Sequence, residues 1–353
     1  MVYGTDTEFL GRIRDLHPGR NVMATAGRIA CMVFCCAVVL FLLAASASGE
    51  TITARDKLGR ELRIQVPVKR AVFFQTYELV PALDLWDQAV GIARFAYDND
   101  LMKAAKPDIA RTIPSAGGGT DINMEALMKL KPELVVTWTA RPENITYMEQ
   151  KGLKVYSIYP ESIEELYEVI RFHGTVFNRK KRAQEVLAEM EKSFAMVRTR
   201  VAGIPVEKKR KVLWLGSRPT SVACAIGVNN DVINLIGGVN PAAVYQQRNV
   251  DVSMEQIIAW NPDVIFIWGN AKYSADDVMN NPQWRFVKAV RERRVFKAPE
   301  WSTWSPRLAP AVLWMAARTY PERFRDVNIG ETADHFYRKV FGVPFSKVKG
   351  FAS

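Results

Sequence analysis

The chain repeats itself once. Residues 123–138 read NMEALMKLKPELVVTW and residues 253–268 read SMEQIIAWNPDVIFIW, at a constant offset of 130. Met, Glu, Pro and the final Trp coincide, and the apolar positions match. Each copy dictates the same local structure. Asn123 or Ser253 accepts a hydrogen bond from a free backbone N–H and caps a helix. Glu125 or Glu255 falls in the first turn, where the helix dipole favours negative charge. Pro132 or Pro262 stops the helix soon afterwards. The apolar, β-rich runs 134–137 and 264–267 then read as strands buried on both faces. A helix, a tight turn and a parallel strand, repeated once, predict two α/β lobes.

The remaining segments extend each lobe. Strands are expected over 71–74, 89–93 and 153–158, with a helix over 76–86. In the second half, strands are expected over 211–215 and 294–297. A helix over 231–236 is stopped by Gly237 and Gly238. Between the halves, residues 163–201 contain no Pro and a single Gly, Gly174. Over 179–200, Ala183, Val186, Leu187, Met190, Phe194 and Val197 keep to one helical face. Those 22 residues reach about 33 Å, the size of a domain. The expected fold class is therefore α/β, with two three-layer lobes joined by a single long backbone helix and a ligand cleft between them. The boundaries are 1–47 for a leader, 48–161 for the N-terminal lobe, 162–203 for the helical linker and 204–353 for the C-terminal lobe. One crossing by a stiff rod limits hinge motion.

The leader rests on a 17-residue apolar run, 29–45, preceded by Arg20 and Arg28 and followed by Ala45, Ser46 and Ala47. A positive end, an apolar middle and a small-residue site form a secretory signal peptide. The run is short for a spanning helix. Met23 is an alternative start that gives a signal of ordinary length. Neither Cys31 nor Cys35 follows the Leu-small-small pattern of a lipoprotein site, so a soluble periplasmic protein is expected. Cleavage removes Cys31, Cys35 and Cys36, leaving Cys224 alone and no internal disulfide. The full chain carries +11, with 48 Lys and Arg against 37 Asp and Glu. A basic exported protein suits anionic ligands. No basic run is interleaved with aromatics, so nucleic acid is not expected as a partner.

Enzyme signatures are missing: there is no G-x-S-x-G, no G-x-G-x-x-G after a strand, no Walker A and no H-E-x-x-H. After cleavage only His173 and His335 remain, too few for a His-based metal cage, and both are expected to be structural. In α/β lobes, ligands bind beyond the carboxyl ends of the strands. The aromatic and Arg residues there are Tyr77, Tyr97, Trp138, Arg141, Arg218, Trp301 and Trp304, and the loop before the second echoed helix adds Tyr245 and Arg248 as ligand-binding candidates. Rings with guanidinium groups suit a delocalised anion, through stacking and bidentate hydrogen bonds. The Gly117–Gly118–Gly119 run brings bare backbone near a helix start, a second candidate anion cradle.

The paired N/S-x-E-x-[LI]-x(4)-P-[DE] units, the joining helix, the run from Glu300 and Trp301 to Ser305, Pro306 and Arg307, and the tail from Tyr320 to Val343 resemble the periplasmic binding proteins of iron-siderophore, haem and cobalamin uptake. The likeness covers about Val68 to Val343. It implies a non-enzymatic protein, without cofactor, that holds a chelated metal between its lobes. It implies delivery to the transmembrane permease of an ABC importer, with Glu125 and Glu255, one per lobe, docking onto that permease. A monomer is expected. The tryptophan of the cobalamin binder has no counterpart near Asn249, which argues against cobalamin. Haem stays open through Tyr77, Tyr97 or Tyr245, and molybdate or tungstate through the basic charge and the Gly-rich loop. A ferric siderophore is the first choice, because the chelator itself supplies the metal ligands.

Overall fold

The computed structural model describes residues 49–301 and 303–351. The expected leader, with Met23 and its three cysteines, lies outside them. The fold opens with an antiparallel hairpin, β1 (Thr51–Arg55) and β2 (Glu61–Gln65). A four-stranded, all-parallel sheet follows. Its strands are β3 (Ala71–Phe73), β4 (Ala89–Ile92), β5 (Leu134–Trp138) and β6 (Val155–Ile158), in the order β4-β3-β5-β6. The second sheet comprises β7 (Val212–Leu215), β8 (Ser221–Ala223), β9 (Asn249–Asp251), β10 (Val264–Ile267) and β11 (Val295–Lys297). Its order is β11-β10-β7-β8-β9, with β8 antiparallel to both neighbours. Helices cover the sheets, so the chain is two α/β lobes, as the repeat demands.

The repeat holds to the level of side-chain direction. Asn123 accepts from the Ala126 N–H and Ser253 from the Gln256 N–H, opening helices Met124–Lys129 and Met254–Trp260. The residue before each proline, Lys131 or Asn261, turns the chain at φ +47°. Asn tolerates that left-handed region; Lys rarely adopts it. In β5, Leu134 and Val136 face one apolar cluster and Val135 another. In β10, Val264 and Phe266 match the first pair and Ile265 the single residue. Each sheet thus has a private outer core, and their inner faces share one continuous core.

That shared core forms around the rod. Helix Lys180–Val201 buries Ala183, Val186, Met190, Phe194 and Val197, the stripe expected from sequence. It is not alone. Helix Ile163–Val176 packs along it on one side and helix Leu308–Thr319 on another. The tail then returns: helix Ile329–Phe341 packs on helix Leu79–Leu83 of the first lobe. Arg182 on the rod donates to the carbonyls of Ala82 at 2.8 Å, Lys339 at 3.0 Å and Val340 at 2.7 Å, fastening the three together. The chain past residue 308 therefore braces both lobes.

Two local expectations change. The helix over 76–86 shortens to Leu79–Leu83, because Thr76 at φ +60° and Asp84 at φ +55° break the helical backbone at both ends. His173 is structural, as expected, and fully buried. Its Nδ1 donates to the Val169 carbonyl at 2.7 Å, which leaves Nε2, 3.0 Å from Thr76 Oγ1, as an acceptor. Burial among the rings of Phe73, Phe172 and Phe177 pushes its pKa down from 6.5 to about 4.

Candidate ligand cleft

Four side chains of the two lobes meet past the carboxyl ends of β5 and β6. Trp138 ends β5. Tyr159 follows β6 directly. Trp304 lies on the connection between β11 and helix Leu308–Thr319. Its ring packs edge-on against Trp138 at 6.5 Å and against Tyr159 at 4.7 Å. From the second lobe, Arg248 lays its guanidinium over the Tyr159 ring at 4.3 Å and donates from Nε to Glu161 at 2.5 Å. Lys57, in the turn of the β1–β2 hairpin, reaches the same carboxylate at 2.8 Å and Glu165 at 2.7 Å. Burial opposes ionisation of Glu161, but Lys57 and Arg248 outweigh it and hold its pKa below the usual carboxylate range. One aromatic trio and one ring-stacked guanidinium thus bridge the lobes.

Of the nine residues expected to bind ligand, Trp138, Arg248 and Trp304 come together here. Arg141 and Arg218 are exposed and engage carboxylates of their own lobes, Glu143 at 3.4 Å and Asp251. Arg94, after β4, pairs likewise with Asp121 beside the glycine run. The other four are engaged in packing. Tyr97 donates its hydroxyl to the Ile113 carbonyl at 2.8 Å. Tyr245 sits edge-on to Trp260 at 6.4 Å. Trp301 lies 4.2 Å beneath the Arg307 guanidinium and against Tyr337, Phe345 and Phe351. Tyr77 is partly buried; burial, then the charge of Glu78, drives its phenol pKa well above the ordinary value. Short aromatic side chains near a strand end are as often consumed by the core as offered to a cleft.

Two residues escaped the sequence reading. Tyr159 and Glu161 sit immediately past β6, which ends at Ile158. The rule of carboxyl ends was sufficient to find them.

Among the described residues no group of three or more His, Cys, Asp or Glu side chains can hold a metal ion. Cys224 is buried and free. A groove of about 630 Å3 on the flank, lined by Tyr167, Glu191, Phe194, Arg198, Asp231 and Leu235, has helix faces for walls and not strand ends. Glu125 and Glu255 stand exposed on the first turns of the echoed helices. Glu255 is held below the usual range by its own backbone N–H and the Ser253 hydroxyl, while Glu125 pairs with Lys129 at 2.7 Å.

The chain belongs to the periplasmic binding protein family, whose pattern it matches over residues 71–300. It is a substrate-binding protein of ABC importers and not an enzyme. It is 23% identical to the molybdate-binding protein MolA of Haemophilus influenzae, over 86% of this chain and 95% of that protein. It is 26% identical to the Fe(3+)-citrate-binding protein YfmC of Bacillus subtilis, over 84% and 88%. Among solved structures it resembles Helicobacter pylori CeuE in a Ni–His complex, with a TM-score of 0.74 and 27% identity over 84% of this chain and 98% of that one.

Proposed function

We propose that this protein is exported to the periplasm by its leader, captures an anionic metal chelate, first of all a ferric siderophore, and hands it to the permease of an ABC importer. The observation that carries this reading is the convergence of Trp138, Tyr159, Trp304 and Arg248 from both lobes on one point. Rings supply apolar and stacking surface, and the guanidinium supplies charge and forked donors. Past the ends of β4, β5 and β7, the exposed Arg94, Arg141 and Arg218 each hold a carboxylate that an entering anion can replace. The metal travels as cargo inside its chelator, so the protein needs no metal ligands of its own. Titration of the mature protein with ferric citrate and with ferric siderophores, followed by tryptophan fluorescence, should show saturable quenching at one ligand per chain and no product. Absence of quenching by any ferric chelate would overturn the reading.

A second reading, an oxyanion such as molybdate, draws support from the likeness to MolA along most of both chains and from the bare backbone at Gly117–Gly118–Gly119. Saturable binding of molybdate, with no response to iron chelates, would select it.

Delivery uses the matching acids. Glu125 and Glu255 form a symmetric pair of exposed carboxylates, suited to a two-fold basic partner. Replacing both by Ala should leave ligand affinity within about twofold, since neither touches the cleft, and abolish uptake in cells. Unchanged uptake would refute the docking role.

A further inference from the structure

The second lobe gathers positive charge at the end where its parallel strands begin. Strands β11, β10 and β7 start there side by side, about 5 Å apart. Lys211 precedes β7, Asp263 precedes β10 and Arg294 precedes β11. Hydrogen bonds tie the three starts together: the Lys211 N–H donates to Asp263 at 2.7 Å, and the Ile265 N–H to the Arg294 carbonyl at 3.0 Å. Arg210 and Arg294 both donate to the Thr319 carbonyl, so two guanidinium groups meet at one acceptor. Burial, then the charge of Arg210, lowers the Arg294 pKa. Around them Lys208, Lys209, Lys211, Arg291 and Arg293 are exposed. Among the described residues none of these five forms an ion pair, whereas Glu322 and Asp263 are taken by Arg210 and Lys288. Two apolar side chains stand among the charges. Val206, 78% exposed, opens the turn that carries Lys208. Phe286, 55% exposed, has its carbonyl held by Arg291 at 2.5 Å and its ring under Arg285 at 4.6 Å. The first lobe differs: where its strands begin, Asp87 and Glu133 are exposed alongside Lys69, Arg70 and Lys154.

We infer that this end of the second lobe is a contact surface for an anionic phospholipid bilayer, with the five unpaired bases facing the headgroups and Phe286 and Val206 seated among them. Clustered like charges repel one another, and a negative surface relieves that repulsion. Each Lys or Arg near an anionic leaflet strengthens binding about fivefold. The apolar pair separates a bilayer from a soluble polyanion, because only the boundary between headgroups and acyl chains offers apolar surroundings. The surface is also distinct from the docking acids. Helix Met254–Trp260 runs about 10 Å from its first turn, which holds Glu255, to Trp260, whose carbonyl accepts from Lys211 Nζ at 3.0 Å. A protein held by this end therefore turns Glu255 and the carboxyl ends of β7 and β10 away from the bilayer. The contact keeps the protein at a membrane surface and leaves delivery as a separate step. It does not depend on which solute the cleft takes.

The test uses the mature protein, from residue 48, because the apolar leader would itself enter a bilayer. Sedimentation with phosphatidylcholine vesicles, with and without about 30% phosphatidylglycerol, is measured at low and high salt. The protein should bind the anionic vesicles at least about tenfold more tightly, and salt should release it. Lys208→Gln combined with Lys209→Gln should weaken that binding about 25-fold. Lys69→Gln combined with Lys154→Gln removes as much charge from the first lobe and should weaken it no more than about threefold. Phe286→Ser should weaken it about tenfold. All three variants should keep the wild-type Tm, since each replaced side chain is exposed. Equal binding to neutral and anionic vesicles overturns the inference, as does an equal loss from the two lysine pairs. Binding to dextran sulfate that matches binding to anionic vesicles, with no loss in Phe286→Ser, assigns the surface to a soluble polyanion and overturns the bilayer.

Discussion

The lobes meet in two places that are built on opposite principles. Along the rod the contact is dry. Arg307 is 0% exposed and binds Asp100 at 2.8 and 3.0 Å, Glu78 at 3.0 Å and the Tyr337 hydroxyl at 2.7 Å. At the cleft the contact is wet: rings that touch at their edges, and ion pairs such as Arg248 with Glu161 that are partly open to water. A buried ion pair is costly to break, because each half is left as an uncompensated charge. A surface pair exchanges its partner for water or for another anion at little cost. The molecule thus places its fixed contacts along the seam and its exchangeable ones at the aromatic trio, where cargo enters on the proposed reading. This supports small lobe movements on binding.

The comparison can be broken most directly at the seam. Arg307→Met should destabilise the protein by about 3–5 kcal/mol, because the buried Glu78 and the partly buried Asp100 lose their cation. Urea unfolding measures it. A loss below about 1 kcal/mol would mean that the seam is no stiffer than the cleft. Next comes acid. The folded state keeps His173 neutral down to about pH 4, whereas the unfolded chain binds its proton near 6.5. Between those values the unfolded state holds more protons, so stability falls as pH falls, by about 3 kcal/mol over the window. In His173→Gln that part of the acid sensitivity should vanish, which unfolding at pH 7 and pH 4.5 would show.

The cleft should respond in binding more than in stability. On the proposed reading, Trp304→Ala removes the ring that touches both Trp138 and Tyr159, and ligand affinity should fall about tenfold or more, with about 1–2 kcal/mol of stability. Trp268 is the echo of Trp138 and lies 37% exposed after β10. Trp268→Ala should change affinity by no more than about threefold. Equal losses from the two variants would place the ligand nearer the second lobe than the aromatic trio.

Much of the seam and the sheets could be read from the chain, because their signals are periodic. The echoed units, the rod's apolar stripe and the strand runs needed only spacing. The short strands β8 and β9 and the β1–β2 hairpin went unread. β8 (SVA) and β9 (NVD) are short and broken by polar residues, so they lack the apolar run that marks β3, whereas TITAR and ELRIQ around Asp56 and Gly59 do alternate and were legible in principle. The site was harder. Residue type and position past a strand could not separate Trp304, which reaches the cleft, from Trp301, three residues earlier, which packs under Arg307. That distinction depends on Arg307 being drawn across to Glu78 and Asp100, partners more than 200 residues away. No local rule contains it.

The smallest effect is the sharpest test of the exchangeable contact. Glu161→Gln keeps the size of the side chain and removes its charge, so Arg248 and Lys57 lose an ionic partner but keep an acceptor. Because Arg248 is half exposed, stability at pH 7 should fall by less than about 1 kcal/mol. The Glu161 carboxyl is depressed in the folded state, so its contribution is present above the ordinary carboxylate pKa and fades as pH falls through the folded value. The variant should therefore differ from wild type at neutral pH and converge with it in acid. Binding should move the other way. If an anionic ligand must draw Arg248 away from Glu161, removing that competitor should tighten binding severalfold at low salt, with the gain shrinking as salt screens the charges. Weaker binding in the variant would mean that Glu161 holds Arg248 in place for the ligand, and that the ion pair is a support and not a latch.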